Sequence, residues 1–498
     1  MEDQEFTGVW RLPESEEGTY GTLKFSPDKG SRLSTVNSLD SSGSKYDFLP
    51  GPLQSLASAS EGQASRHPIV QGKDLSGTPI TLVNVIRDRT SVGWSSGGGF
   101  GEESEYVASR ILVGKWFDEN PEFDYIKARF PHLEKWTEIA PIKQEIEVDD
   151  ASEGPTRIEA GDKIKLVFEM PEKIEADLGD YTVSLVVNGG TEQKGESEKS
   201  LKAEVFIKIE SEEAETLDML EEQLKQVQNF VSFGMVEPLQ PVKLEAGWEE
   251  ERNDVEVLRR IDTEILPEKL SHPDYMNFTF ADIQDDFEDV LRTWFNKAEE
   301  LKPVFDLYFG ALQNPNMYIE NRLLGFAHAV ESYFRETGDA TYLDDEWEDV
   351  YQDFIDFMHG DADQLVSGSS SLETLQSRYN LGKDFRRHME GGTLEYANEY
   401  SLRKMVEELT GRHEAILEEI NHNPIGKAEL IADTRNYLVH RTEELREKAV
   451  ITPEDQIKLV WSLRLLLETS LLRELGIDDE HISDRLGTRY ENMRASPV

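Results

Sequence analysis

Cysteine is absent from this chain of 498 residues, so disulfide bonds, zinc–thiolate sites and thiol catalysis are excluded. Long apolar runs are also missing, and no stretch approaches the roughly 18–20 apolar residues that a membrane-spanning helix needs. The N-terminal segment MEDQEFTGVW is acidic and lacks the basic and apolar parts of a secretion signal. We therefore expect a folded cytoplasmic protein that does not associate with a membrane.

Basic residues are scarce relative to acidic ones. The chain has 52 Lys and Arg against 100 Asp and Glu, a formal net charge of −48, and the acidic residues are spread along its length. So many carboxylates repel one another unless ions screen them, and at 1 M salt the Debye length falls to about 3 Å. We expect a salt-rich cytoplasm, as in halophilic organisms. Because such screening also weakens repulsion from RNA, the net charge does not exclude a nucleic-acid substrate.

The apolar pattern changes along the chain and predicts an α+β fold. The first 210 residues contain short strand-like runs, such as YGTLKF and ITLVNVI, separated by Gly, Pro, Asn and Asp. From about Glu212 to Val231 apolar residues recur every three or four positions, and a short extended segment, PLQPVKLEA (238–246), follows. After about residue 278 the chain is almost entirely helical in pattern. We predict a β-rich, sandwich-like domain over 1–210, a helix and linker over 211–277 that complete it, and an all-α helical bundle over 278–498.

The segment RNYLVH near the C-terminal end carries the residues best suited to chemistry. We predict that it lies in a helix over 431–445, whose apolar stripe of Ile431, Leu438 and Leu445 packs into the bundle. Asn436 and His440 are four residues apart, so they share a face roughly opposite that stripe. Arg435 lies at the boundary of that face. Asn436 and His440 should therefore point to solvent or to another subunit.

These residue types suffice to cleave RNA without a metal or other cofactor. The RNA 2′-hydroxyl attacks the adjacent phosphate, a base removes its proton, and an acid protonates the leaving 5′-oxygen. His440 can serve as either group, because histidine exchanges protons near neutral pH. Arg435 can hold the phosphate and stabilise the charge that builds on it. Asn436 can orient the imidazole or bind ribose.

A second Arg and His at a similar separation, Arg322 and His328, lie further upstream in a segment with a helical pattern. Apolar residues separate the two and no Asn follows the Arg, so we interpret His328 as a packed or boundary histidine. Glu331 follows in the otherwise apolar run FAHAVESYF. We predict an ion pair with Arg335, four residues on.

Two further groups of basic residues are candidate contacts for an RNA backbone. One is the densest basic patch of this acidic chain, and the other is the residue that follows the RNYLVH segment: Lys383, Arg386, Arg387, His388 and Arg441. The alternative for the patch is a solvated loop or a surface cluster of salt bridges.

With these residues in place, the arrangement Arg435-Asn436-x-x-x-His440 resembles the HEPN ribonuclease signature. Other helical segments are similar to the ApeA-type HEPN domain, namely FTFADIQDDFEDVLRTWF (278–295), RLLGFAHAVESYFR (322–335), NEYSLRKMVEEL (398–409) and Leu459–Ile477. The first half is similar to the ApeA N-terminal domain through GVWRLP (8–13), GTL (21–23), LEKW (133–136) and NF (229–230).

The resemblance implies a function. HEPN proteins are helical bundles that dimerise and place two Arg/His motifs at the subunit interface. Many are metal-independent RNA endonucleases that leave a 2′,3′-cyclic phosphate and a 5′-hydroxyl, and ApeA-like proteins act in antiviral defence by abortive infection. Arg435, Asn436 and His440 match the motif positions of the family. We therefore expect a homodimeric endoribonuclease, with tRNA among the candidate substrates.

Alternatives remain open at this point. In the leading hypothesis the β-rich half senses a viral trigger or holds the bundle inactive. A second hypothesis is a non-catalytic HEPN regulatory or binding protein, whose Arg435 and His440 only form a dimer interface. A third is a carbohydrate- or peptide-binding β-domain protein, in which the helical half is an oligomerisation scaffold.

Overall fold

The computed structural model describes residues 1–40, 65–94, 100–147, 163–193, 199–251, 253–265, 272–337, 341–343, 347–359, 396–420 and 424–495. The chain forms two compact units, Met1–Phe295 and Asn296–Val498. A search of the described ranges finds no helix with the length and apolar content to cross a bilayer.

The first unit contains the strands and a few helices. Its strands are β1 (Gln4–Arg11), β2 (Thr19–Ser26), β3 (Gly30–Thr35), β4 (Arg66–Asp74), β5 (Pro79–Trp94), β6 (Phe100–Val107), β7 (Arg110–Val113), β8 (Glu122–Arg129), β9 (Ile142–Glu147), β10 (Lys163–Phe168), β11 (Ile174–Asp177), β12 (Tyr181–Gln193), β13 (Lys199–Thr216), β14 (Lys243–Gly247) and β15 (Val255–Leu258). The helices that begin in this unit are α1 (Leu133–Thr137), α2 (Leu217–Met235), α3 (Phe280–Ile283) and α4 (Phe287–Glu300).

Six strands close into an antiparallel barrel. Their order is β5-β4-β1-β2-β3-β6, and β6 pairs back onto β5. Along β2, Leu23 and Phe25 are buried while Lys24 is exposed, as the two-residue period of a strand requires. The interior is filled by apolar side chains around the fully buried Trp10, whose indole N–H donates to the Gly21 carbonyl at 3.1 Å. The sandwich-like arrangement predicted from the sequence thus takes the form of a closed ring.

The sheet continues beyond the barrel. From β5 it extends through β7, β15, β14, β8, β13 and β12 to β11, and α2 packs against β13 and β8. The segment 211–277, predicted as a helix and linker, therefore contributes two strands to the middle of the sheet. The reason is that Leu244, Ala246, Val255 and Val257 are all fully or almost fully buried, which a linker could not achieve. Strands β9 and β10 form a separate two-stranded sheet.

The first unit extends beyond residue 278, where the sequence placed the start of the helical domain. An aromatic cluster accounts for this, because Phe278 and Phe280 pack against Trp136, and Trp294 packs edge-on against Phe230. These rings tie the start of α4 to α1 and α2. The division into domains at 210 and 277 stays a prediction.

The second unit is a helical bundle. The helices that begin in it are α5 (Lys302–Leu312), α6 (Ile319–Glu336), α7 (Trp347–His359), α8 (Leu402–Arg412), α9 (Glu414–Glu419), α10 (Ile425–His440), α11 (Glu443–Arg446), α12 (Pro453–Glu474) and α13 (Asp479–Ala495). The long helix α12 packs against α6, α8 and α13, and α10 packs against α6, α8 and α11. The α+β class, with strands in the first half and helices in the second, is confirmed.

A charged network lies in the core of this bundle. The carboxylate of Glu468, which has no exposed surface, accepts hydrogen bonds from Tyr308 at 2.6 Å, from Arg464 at 2.7 Å and from Arg489. Burial by itself raises the pKa of the Glu468 carboxyl, but the two guanidinium groups and the tyrosine hydroxyl outweigh it and lower that pKa. The network links α5, α12 and α13.

Candidate active site

Helix α10 carries the candidate site, and its ends differ from those predicted. It runs over Ile425–His440, whereas the sequence predicted 431–445. It ends because Arg441 adopts the left-handed region, with φ 55°, and donates its backbone N–H to the Tyr437 carbonyl at 2.8 Å. His440 is therefore the last residue of the helix and not an interior one.

The buried face of α10 contains two members of the predicted stripe, Ile431 and Leu438, whereas the third, Leu445, lies beyond the end of the helix, in α11. Ala428, Ile431, Thr434 and Leu438 recur every three or four residues, and none is more than 6% exposed. Thr434 is the one polar member, and its hydroxyl accepts the backbone N–H of Val450 at 3.0 Å. This face fixes α10 within the bundle and thereby decides which polar side chains remain at its edges and end.

Arg435 lies at one edge of that face and is held by two partners. Its Nη2 lies 2.9 Å from Oε1 and 3.1 Å from Oε2 of Glu331, and its Nη1 donates to Asn436 Oδ1 at 3.1 Å. The Arg435 side chain is 25% exposed. The contacts therefore fix the orientation of the guanidinium and still leave part of it open to solvent.

Glu331 is the site residue whose role sequence reasoning missed. The predicted pair with Arg335 is wrong, since Arg335 Nη2 lies 2.9 Å from Glu399 and Glu331 binds Arg435 instead. Glu331 is only 8% exposed, so its carboxylate needs a charged partner inside the bundle. The available signal was a carboxylate within the apolar run FAHAVESYF. The partner could not be identified because it lies 104 residues further along the chain.

His440 is exposed at the end of α10. Within the part of the chain that the structure describes, its imidazole forms no hydrogen bond or ion pair. The next residue, Arg441, is also exposed and places its guanidinium 5.4 Å from the centre of the Tyr437 ring. A guanidinium held in place at Arg435 and an imidazole without a partner among the described residues, on the same helix, are suited to bind a phosphate and to move a proton.

His328 on α6 lies near the same carboxylate. Its Nε2 is 3.8 Å from Glu331 Oε2, and its side chain is 61% exposed. The prediction of a packed or boundary histidine is therefore wrong. The reason is that His328 lies on the surface of α6, whereas Phe326, Ala327 and Ala329 are buried.

The candidate basic patch and a possible metal site are the remaining points. Lys383, Arg386, Arg387 and His388 lie outside the described residues, so their proposed RNA contacts stay a prediction. Across the described ranges, no three His, Asp or Glu side chains converge as metal ligands would.

Comparison with protein families places both halves of the chain. A family model described as ApeA N-terminal domain 1 matches residues 5–294, which is more than half of the chain, and one described as Apea-like HEPN matches residues 324–481. The second match contains α8, α10, α12 and most of α6, and therefore His328, Glu331, Arg435 and His440. No curated protein and no solved structure matches the chain. The chain belongs to the ApeA family of HEPN proteins, a nuclease-type family of defence proteins.

Proposed function

We propose that this protein is a metal-independent RNA endonuclease that acts in antiviral abortive infection. In this proposal Arg435 holds the phosphate, His440 transfers a proton and Asn436 helps to orient the site. The proposal rests on one observation. An oriented guanidinium and an exposed imidazole without a partner among the described residues lie on the same helix, the imidazole at its end. The match to the HEPN family, whose members are generally ribonucleases, supports it.

The geometry suits cleavage by the RNA 2′-hydroxyl. Glu331 accepts hydrogen bonds from Nη2 of Arg435, and Asn436 accepts one from Nη1. The second N–H of Nη1 remains for a phosphate oxygen, whereas Nε is buried and has no partner among the described residues. His440 lies five residues after Arg435, which is about 7.5 Å further along the helix axis and about 140° around it. The long side chain of Arg435 therefore has to reach around the helix for its guanidinium and the imidazole to meet one phosphodiester. With that reach, the imidazole can contact an oxygen that gains or loses a proton while the guanidinium holds the phosphate.

The proposal includes a homodimer and a trigger. The exposed end of α10 also carries Val439, an apolar residue that is 52% exposed beside His440. A second copy that covers this end would bury Val439 and bring two Arg/His motifs together, as the family membership suggests. The barrel-containing first unit would then sense a viral trigger. RNA, with tRNA among the candidates, is the substrate in this proposal.

The test is RNA cleavage by the purified full chain in molar salt with EDTA. Total tRNA and a generic single-stranded RNA serve as substrates, and the product ends are identified. We expect cyclic-phosphate and 5′-hydroxyl ends, with a rate reduced about 10²–10⁴-fold in His440→Ala, the usual contribution of a proton-transferring side chain. His272→Ala is the matched control, because His272 is similarly exposed at 66% but lies in the first unit. Cleavage that is unchanged in His440→Ala would overturn the assignment.

A non-catalytic HEPN protein is the second candidate, and one observation favours it. Arg435 already has a carboxylate partner in its own chain, as it would if the motif were only structural. This candidate predicts a wild type that dimerises by analytical ultracentrifugation but leaves both RNAs intact. It further predicts that Arg435→Met and His440→Gln weaken the dimer.

A further inference from the structure

Glu331 connects the motif helix to a second histidine. Its Oε2 lies 3.1 Å from Arg435 Nη2 and 3.8 Å from His328 Nε2, so the two nitrogens are at most about 6.9 Å apart, the sum of these distances. Both partners of the carboxylate have exposed surface, at 25% for the Arg435 side chain and 61% for that of His328. A phosphate bound to the outward edge of Arg435 therefore lies within reach of His328.

The reaction calls for two proton-transfer groups. As the 2′-oxygen forms a bond to phosphorus, its proton goes to a base, and as the bond from phosphorus to the 5′-oxygen breaks, that oxygen takes a proton from an acid. The electron pair of the broken bond stays on the 5′-oxygen, and no oxidant, water or metal enters the balance. Because the attacking and leaving oxygens lie roughly in line on opposite sides of phosphorus, one imidazole cannot contact both at once.

We propose that His328 is the second proton-transfer residue of this site, acting with His440 in the same chain. This inference rests on the proposed ribonuclease function. The two imidazoles lie on different helices, α6 and α10, and Arg435 is linked to both, through Glu331 to His328 and along its own helix to His440. Each chain then supplies two imidazoles from two helices, so proton transfer does not depend on the His440 of a second copy, and the sequence separation of the two histidines hides the pair from motif searches.

The surroundings of His328 agree with this role. In the described ranges, the charged group in contact with it is Glu331 on its own helix, and Arg435 on α10 lies behind that carboxylate. The other helices against α6, which are α5, α8 and α12, place no charged side chain in contact with His328 in those ranges. The imidazole is thus open to solvent on one side and beside the phosphate-binding residue on the other.

The experiment compares pH–rate profiles of the full chain. Wild type, His328→Gln, His440→Gln and the control His272→Ala act on one single-stranded RNA with EDTA, and kcat and KM are measured from pH 5 to 9. We expect a bell-shaped profile for wild type. His328→Gln should lower kcat about 10²-fold or more with KM within about threefold, and should lose one limb of the bell. His440→Gln should lose the opposite limb.

The outcomes separate this inference from the function on which it rests. If His440→Gln is inactive while His328→Gln keeps its kcat within about threefold and both limbs, His328 has no part in proton transfer and the inference is overturned alone. If wild type does not cleave at any pH, both fall. Unfolding curves of His328→Gln that match wild type show that a lower kcat reflects chemistry, since the exposed side chain contributes little to stability.

Discussion

We expect Glu331 and Arg435 to stabilise the bundle cooperatively, with a coupling energy that depends on how deeply their ion pair is buried. We consider the near-isosteric changes Glu331→Gln, Arg435→Met and the double variant. Exposed ion pairs contribute roughly 0.2–1 kcal/mol, whereas breaking a fully buried one costs about 3–5 kcal/mol. This pair lies between the two, because the carboxylate is 8% exposed and the Arg435 side chain 25% exposed. We expect a coupling energy of about 2 kcal/mol.

The two single variants should differ in a defined direction. Arg435→Met leaves the more buried group, the carboxylate of Glu331, without its main partner, so it should destabilise the bundle by about 3 kcal/mol. Glu331→Gln leaves a guanidinium that can turn to solvent and still find an amide oxygen, so about 1 kcal/mol is expected. The double variant should cost less than the sum of the two.

Urea unfolding, monitored by the helical circular dichroism signal, measures these free energies of unfolding. They are taken from the midpoint of the bundle transition, provided that the slope of free energy against urea concentration is the same for all variants. The matched control is a second double-mutant cycle, Arg335→Met with Glu399→Gln, in which Arg335 lies on α6 like Glu331. The side chains of Arg335 and Glu399 are 53% and 28% exposed. Its coupling should stay below about 1 kcal/mol and vanish in 1 M salt, while the Glu331–Arg435 coupling should persist because burial limits screening. A coupling at Glu331 and Arg435 no larger than the control would refute the reasoning.

Two further predictions concern the cores of the two units. Glu468→Gln should destabilise the bundle by about 3–5 kcal/mol, because it leaves the buried Arg489 and the partly buried Arg464 without their countercharge, and a loss under 1 kcal/mol in urea unfolding would contradict the structure. Gly72→Ala should destabilise the barrel by about 1–3 kcal/mol, because a Cβ there would collide with the buried ring of Trp10. Gly310→Ala is the control, because Gly310 lies in a helix with open space around the added Cβ, and it should stabilise the protein by up to about 1 kcal/mol. Thermal unfolding measures both variants, and equal effects at the two glycines would contradict the predicted collision with Trp10.

Local patterns in the sequence were sufficient to predict strands in the first half of the chain and helices in the second, although they missed that 211–277 contributes β14 and β15 to the sheet. The ends of the long helix α12, observed over Pro453–Glu474, coincide with sequence signals, because Pro suits its first turn and Gly476 adopts φ 79° just beyond its end. The buried stripe of α10 was likewise predictable through Leu438, since helical period and hydrophobicity are properties of neighbouring residues. The RNYLVH segment, read in this way, was enough to propose the chemistry and the family.

Tertiary structure alone decided how the site is assembled. The end of α10 at His440 depends on the left-handed backbone conformation of Arg441, and an arginine in the sequence does not predict a helix end. The pairing of Arg435 with Glu331, the location of His328 near Arg435 and the pairing of β6 with β3 each join residues far apart in the chain. Such contacts form because burying apolar faces brings distant helices and strands together, and the charged side chains at their edges then pair with whatever lies within reach. The sequence by itself determined which residues can act, and the packing of α6 against α10 determined which of them meet.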